Sequence, residues 1–198
     1  ILQSWDRRSS VSSVATTLAT EWAKKITRRL ADIEEERNQP TLYQIQVTRT
    51  PPVEMLRHLA DVINDLPKMY GNWRIPWGDI NRFQRNTGLM AETFDDTKKS
   101  FPSGLTSSRW GSLPAFESRL FPGTKLMYGT SGNSFIAAVE FGEKVKAKTI
   151  ITGGQSPNPA SPHFTDQAEM YLEGKFKDIW FYKEDVLQHV EKKYHPGE

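Results

Sequence analysis

The sequence contains no cysteine, little net charge and no long apolar run. Disulfides, thiolate zinc sites and a cysteine nucleophile are therefore excluded. The 26 Lys and Arg residues nearly balance the 24 Asp and Glu residues, which leaves a net charge of +2 on 198 residues. So weak a field predicts neither a nucleic acid nor an anionic membrane as a partner. No apolar run approaches the roughly 20 residues of a membrane-spanning helix.

Aromatic residues indicate that the chain folds. Hydrophobic residues make up only 37% of the sequence and the mean hydropathy is -0.60, but six Trp, ten Phe and six Tyr are too many for a disordered chain. We expect extensive polar surface, or burial completed against another chain. The sequence begins at Ile1 without an initiator Met or a secretory signal pattern, so we also expect a processed product or part of a longer one.

Residues 1–67 are predicted to be helical. Apolar residues recur at steps of three and four along a first helix, at Val14, Leu18, Trp22, Ile26, Leu30 and Ile33. Pro40 closes this helix, and residues 42–47 form a weak candidate for a short strand. A second helix is predicted to begin at Pro51-Pro52 and to end at Pro67.

Residues 68–130 show no sustained helical or strand period. This segment is rich in Gly, Pro and aromatic residues. We predict an irregular segment held by aromatic anchors, and a segment of this length usually has a function or wraps another body.

Residues 131–198 predict a hairpin followed by short helices. Period-two alternation predicts a hairpin over 133–152, followed by a helix at 165–173, a strand at 176–182 and a last helix at 183–193. The first strand is largely apolar on both faces, which predicts a sheet covered on both sides. The chain alone should then expose apolar surface and associate. The predicted class is α+β.

Two serine motifs and four histidines are weak candidates for chemistry. Gly154-Gln155-Ser156-Pro157-Asn158 lacks the final Gly of a nucleophile elbow and is favoured as a turn, and Gly129-Thr130-Ser131-Gly132 is interpreted as the turn before a strand. The histidines are dispersed without ligand spacing, at His58, His163, His189 and His195. His189 and His195 are interpreted as solvated. We favour a structural role for His163, whose ring can satisfy loop carbonyls.

Glu140 is the strongest single candidate. A carboxylate in a strand, on the face of Ile136 and Ala138, is costly to bury without a partner. Either this face lies at a sheet edge, or the carboxylate has a fixed donor such as Arg, Lys or an imidazolium. With a donor, Glu140 is either a structural ion pair, which spacing alone favours, or a group that orients an imidazole during nucleophilic catalysis.

Several motifs, in order from residue 2 to about 186, resemble the penicillin and cephalosporin acylases. The most specific part is the loop Gly153-Gly154-Gln155-Ser156 followed by the block His163-Phe164-x-Asp166-Gln167. The remaining matches are Leu2-x-x-Trp5-Asp6, Glu21-Trp22, Tyr70-Gly71, Pro76-Trp77-Gly78-Asp79-x-x-Arg82, Gly129-x-Ser131-Gly132-Asn133, Glu140-Phe141 and Pro159-x-Ser161-Pro162.

The resemblance implies an N-terminal-nucleophile amidohydrolase with an αββα sandwich, made as a precursor that cuts itself. Residues 1–198 would form the C-terminal part of its β subunit, with 1–67, 68–130 and 131–198 as sections. Its partners would be the remaining α and β segments and a small-molecule amide substrate. The nucleophilic Ser, its His and the calcium site of some relatives would lie upstream, so this chain would be inactive alone. No cofactor is expected, and the implied location is periplasmic or secreted.

In the cephalosporin-acylase branch, the resemblance places Glu140 where a late β-subunit Glu supports the catalytic His. The alternative to an acylase is a non-catalytic interaction module that shares this piece of fold.

Overall fold

The computed structural model describes residues 1–31, 48, 50–88, 92–195 and 197. It divides into two compact units, Ile1–Gly132 (unit 1) and Asn133–Glu198 (unit 2). Both helices and sheets are present, which confirms the predicted α+β class. The weak strand candidate at 42–47 lies outside the described residues, as do Ile33 and Pro40.

Two helices of similar length, α1 (Val14–Ala31) and α2 (Pro52–Tyr70), pack together in unit 1. Their shared core contains Leu18, Val62 and Leu66. The Trp22 indole N–H donates to the Met55 carbonyl at 2.8 Å, which ties the two helices together. Lys25 pairs with Asp65 at 2.7 Å, and hydrogen bonds from Lys25 and Lys68 lower the pKa of Asp65 to about 2. No helix in the described ranges is long and apolar enough to cross a membrane.

Helix α2 does not end at Pro67, as predicted, but continues to Tyr70. A proline has no N–H to donate, so Pro67 removes one helical hydrogen bond. This loss is tolerated in the last turn, because only three helical residues follow Pro67. The helix ends instead at Gly71, whose φ of 79° places it in the left-handed region. The Gly71 N–H donates to the Pro67 carbonyl at 2.8 Å, which satisfies one of the free carbonyls of the helix end.

The middle of the chain is less irregular than predicted, because it contains a four-stranded sheet. A short helix, α3 (Trp77–Ile80), precedes β1 (Asn81–Phe83), β2 (Phe101–Pro102), β3 (Phe116–Leu120) and β4 (Met127–Gly132). The strand order is β2-β1-β4-β3. The segment from Gly129 to Gly132, interpreted above as a turn, is the end of β4.

The Trp-Gly-Asp motif holds the beginning of this sheet against the N-terminal segment. The Trp77 indole N–H donates to the Leu105 carbonyl at 2.9 Å, and the Gly78 N–H donates to the Val11 carbonyl at 2.8 Å. The Arg82 guanidinium donates to the carbonyls of Gly78 and Ser100. Trp77, Gly78 and Arg82 of this motif therefore have structural roles in unit 1.

We expect Gly78→Ala to destabilise unit 1. A Cβ at Gly78 would lie 2.2 Å from Val11 Cγ1 and 3.1 Å from Pro102 Cβ, and overpacking of this kind costs about 1–3 kcal/mol. Urea unfolding measures the loss. The double variant Val11→Ala, Gly78→Ala removes the shorter contact and should recover part of the stability, whereas additive losses would contradict the proposed clash.

Unit 2 is built on a three-stranded antiparallel sheet in the order β5-β6-β7. Its strands are β5 (Phe135–Glu140), β6 (Lys146–Ile151) and β7 (Lys177–Ile179), and its helices are α4 (Ala168–Leu172) and α5 (Lys183–Gln188). The predicted hairpin is confirmed. Helix α4 is shorter than predicted because residues 165–167 form a bend and turn between the 3-10 turn Pro162–Phe164 and the helix.

The apolar faces of the hairpin are exposed within the described chain, as expected for the chain alone. Phe135, Val139 and Phe141 are 59%, 47% and 84% exposed. Further large exposed side chains of unit 2 are Ile179, Trp180, Phe181, Val186, Leu187, Val190 and Tyr194. The expected exposure of apolar surface is confirmed, while association of the chain stays a prediction.

Candidate functional site

Glu140 lies at the last position of β5, directly opposite Lys146 on β6. It is exposed, as is Lys146. Although the register makes these two residues a cross-strand pair of opposite charge, their side chains form no ion pair, and the Glu140 carboxylate has no hydrogen bond or ion pair with any other described residue. The structural ion pair favoured by spacing alone is therefore not formed in the described part of the chain.

The strand register places two lysines of β6 opposite this face of β5, but neither pairs with Glu140. Ala138, two residues earlier on the same face, is opposite Lys148. Lys148 pairs with Asp178 of β7 at 3.3 Å, so its charge is engaged on the other side of β6. Beyond Glu140 the hairpin turns, and no other strand of the described residues lies on the free side of β5. The carboxylate thus stands at an open edge of unit 2.

The two most specific motifs of the C-terminal part fold against each other. The Ser156 N–H donates to the His163 carbonyl at 3.2 Å, and the Gln167 N–H donates to the Gly153 carbonyl at 2.9 Å. The Gln167 side-chain carbonyl also accepts a bond from the Ile151 N–H at 3.4 Å, at the end of β6. These bonds fasten the 153–156 loop, the 163–167 segment and the central strand of the sheet together.

Gly154 permits this close approach. A Cβ at that position would lie 2.1 Å from the His163 carbonyl oxygen and 2.8 Å from the Phe164 carbonyl oxygen. Both atoms belong to the backbone, so no side-chain rotation can make room. The contact between the Gly-Gly-Gln-Ser loop and the His-Phe-x-Asp-Gln block thus requires a glycine at position 154.

His163 pairs with Asp166, a partner that the sequence interpretation missed. The His163 Nδ1 and Asp166 Oδ2 atoms are 2.8 Å apart. The ring contacts a carboxylate within its own turn rather than loop carbonyls, and it remains 69% exposed. The i,i+3 spacing of His163 and Asp166 next to a helix start could have indicated this pair from the sequence. Neither residue is joined to Glu140 or Ser156 by a side-chain bond in the described chain.

The other histidines do not converge on Glu140. His58 lies between Glu54 and Asp61 on α2, with N–O distances of 3.8 Å to each. His189 is not simply solvated, because its ring stacks on Trp180 with centroids 4.1 Å apart. His195 is exposed. Within the described ranges, no three His, Asp or Glu side chains are grouped so as to hold a metal ion.

Fold and site together describe an α+β protein whose best candidate group is a free carboxylate at the turn end of the hairpin, with a glycine-dependent loop pair at the opposite end of β6. A fold of this class alone is compatible with many functions. Comparison with protein families is more specific, because the family model described as Penicillin amidase matches residues 1–188. The chain belongs to the penicillin amidase family, and the resemblance inferred from the motifs is confirmed. This family is hydrolytic, which supports an amidohydrolase-like function.

Proposed function

We propose that the chain is the C-terminal part of the β subunit of an N-terminal-nucleophile amidohydrolase that cleaves a linear amide in a small molecule. The family match over residues 1–188 supports this proposal. In it, the acyl group is transferred to the N-terminal Ser of the β subunit, upstream of Ile1, and water then releases the acid. The complete enzyme would adopt the αββα sandwich and mature by self-cleavage.

The observation that supports a catalytic role for this chain is the free carboxylate of Glu140. A group that orients a catalytic imidazole must present an oxygen that is not already engaged in an internal ion pair. Glu140 is exposed and unpaired among the described residues. We therefore propose that Glu140 accepts a hydrogen bond from the upstream His and stabilises the imidazolium that forms during acyl transfer.

The exposed apolar surface of unit 2 fits the same proposal. Large apolar patches on a folded protein mark surfaces that contact another body. Phe135, Val139 and Phe141 lie on or next to the strand that carries Glu140. The remaining α and β segments of the acylase would cover them in the complete enzyme, which we propose is periplasmic or secreted.

The alternative function, a non-catalytic interaction module, is favoured by the same exposed side chains taken alone. It requires that the partner be a separate protein and that Glu140 have no catalytic role. The two functions differ in what the native gene product contains.

The native product distinguishes the two. Its intact mass and the N-terminal sequence of each chain should reveal an upstream segment and a β subunit that begins with Ser. That product should hydrolyse a chromogenic phenylacetyl or glutaryl anilide, whereas the purified 198-residue chain should not. A native product that consists of these 198 residues alone, or turnover by the isolated chain, would contradict the proposal.

A further inference from the structure

Unit 1 contains two clefts that neither the family motifs nor the proposed acyl transfer uses. The first has a volume of about 360 Å³ and lies between α1 and the segment 107–118. The second has a volume of about 340 Å³. Both are lined by Thr20 and Trp110, so they adjoin along these two residues. We refer to them together as the Trp110 cleft.

The charge around the Trp110 cleft is positive. Arg28 and Arg109 line its first part and Arg7 lines its second part. All three are exposed, and none has an ion pair or a side-chain hydrogen bond with another described residue. Lys24 also lines the first part, but it is paired with Glu21 at 2.8 Å. Unpaired guanidinium groups are well suited to bind a carboxylate through two parallel hydrogen bonds.

Acidic residues do not cancel this charge. Glu117 is the one carboxylate among the residues that line either part of the cleft. It is exposed and forms no ion pair with a described residue. On a chain whose total charge is only +2, three free arginines around adjoining clefts are a local concentration of positive charge. An anionic ligand is the complementary partner.

The walls of the first part are aromatic. Trp77 and Phe116 are 2% and 4% exposed, so they form fixed surfaces. Trp110, which is half-buried, completes the wall. Cavities of about 300–1,000 Å³ with apolar walls and a few polar groups are typical of small-molecule sites. A flat ring has the shape and polarity that such walls select, because aromatic faces stack on one another.

An unsatisfied hydroxyl points to a ligand independently of the charges. Thr16 lines the second part of the cleft and is 1% exposed. Its Oγ1 atom is buried and has no hydrogen-bond partner among the described residues. Buried polar atoms nearly always have a partner, so Thr16 leaves an unpaired hydroxyl in the wall of the second part of the cleft.

We propose that the Trp110 cleft binds a small aromatic carboxylate. Its ring lies against Trp110 and the neighbouring aromatic wall, and its carboxylate is held by Arg28 and Arg109. The site belongs to unit 1, while Glu140 belongs to unit 2, so the inference goes beyond the proposed function and does not depend on it.

Cinnamate and its uncharged analogue cinnamamide are suitable probes for isothermal titration of the full 198-residue chain. We expect cinnamate to bind with a Kd of about 0.1–1 mM, the range expected for so small a ligand. Arg109→Gln and Arg28→Gln should each weaken binding by about three- to tenfold, because each removes one exposed charged contact. Cinnamamide lacks the negative charge, so it should bind the unchanged chain no more tightly than cinnamate binds either variant.

Arg57→Gln is the matched control, since Arg57 is an exposed arginine on α2 that does not line the cleft. It changes the net charge of the chain by the same amount and should leave cinnamate affinity unchanged. Trp110→Phe, which keeps an aromatic wall, should retain most of the binding, whereas Trp110→Ala should lose it. Melting temperatures of all variants establish that the fold is intact.

Three results would overturn the proposal. One is the absence of binding heat for cinnamate at about 5 mM, well above the expected Kd. Another is equal affinity for cinnamate and cinnamamide, which would show that the arginines do not recognise the carboxylate. The third is an equal loss of affinity in Arg57→Gln and Arg109→Gln, which would indicate attraction by net charge rather than binding in the cleft.

Discussion

Gly154→Ala is expected to unfold the loop region of unit 2 and to lower its stability by about 3 kcal/mol or more, the upper end of the overpacking range. The added Cβ would lie 2.1 Å from the His163 carbonyl oxygen, 2.7 Å from Asp166 Oδ1 and 2.8 Å from the Phe164 carbonyl oxygen. The carboxylate of Asp166 can move, but the two carbonyls are held by the hydrogen bonds of the loop pair. The backbone must therefore separate.

Gly142→Ala is the matched control for this effect. Gly142 lies in the turn after β5, and a Cβ there would have the Lys144 carbonyl oxygen as its nearest neighbour, at 3.8 Å. That is an ordinary contact distance, so the variant should retain its stability to within about 0.5 kcal/mol. Hydrogen exchange of the peptides that contain β6 and α4 localises the change to unit 2. Equal protection in both variants would contradict the packing role of Gly154.

The sequence predicted those elements that are long enough to show a period. Apolar steps of three and four were sufficient to locate α1 and α2. The six residues of β5 and of β6 were sufficient to show alternation. Strands β1 and β2 have three and two residues, which is too short for any period to be recognised. Strands β3 and β4 are longer, but their sequences, Phe-Glu-Ser-Arg-Leu and Met-Tyr-Gly-Thr-Ser-Gly, show no apolar alternation, so the sheet of unit 1 was missed.

The candidate site was partly predictable for a related reason. Glu140 was found because a carboxylate interrupts an otherwise apolar strand. Its lack of an ion pair with Lys146, which the register places directly opposite, depends on side-chain conformation, which the sequence does not reveal. The cleft beside Trp110 could not be predicted, since α1 and the segment 107–118 are distant in the sequence and show no shared pattern.

Glu140→Gln in the complete amidohydrolase is expected to keep the fold and to lower kcat by about 10²- to 10⁴-fold, the range for loss of an orienting or acid–base group. Glutamine has nearly the same shape but carries no negative charge, so it can no longer stabilise an imidazolium. The fold should be retained because Glu140 is exposed and has no ion pair among the described residues. Steady-state kinetics and the melting temperature measure the two effects on one variant.

Two further variants separate this role from a general effect of charge at the hairpin. Glu143→Gln removes a carboxylate from the turn after β5 and should leave kcat unchanged. Lys146→Gln removes the residue opposite Glu140, and it should also leave kcat nearly unchanged because the two side chains form no ion pair. If Glu140 were instead a structural group, Glu140→Gln would lower the melting temperature and leave kcat nearly intact. A comparable fall in kcat in Lys146→Gln would show that the cross-strand pair, rather than a hydrogen bond to the catalytic imidazole, is what the complete enzyme requires.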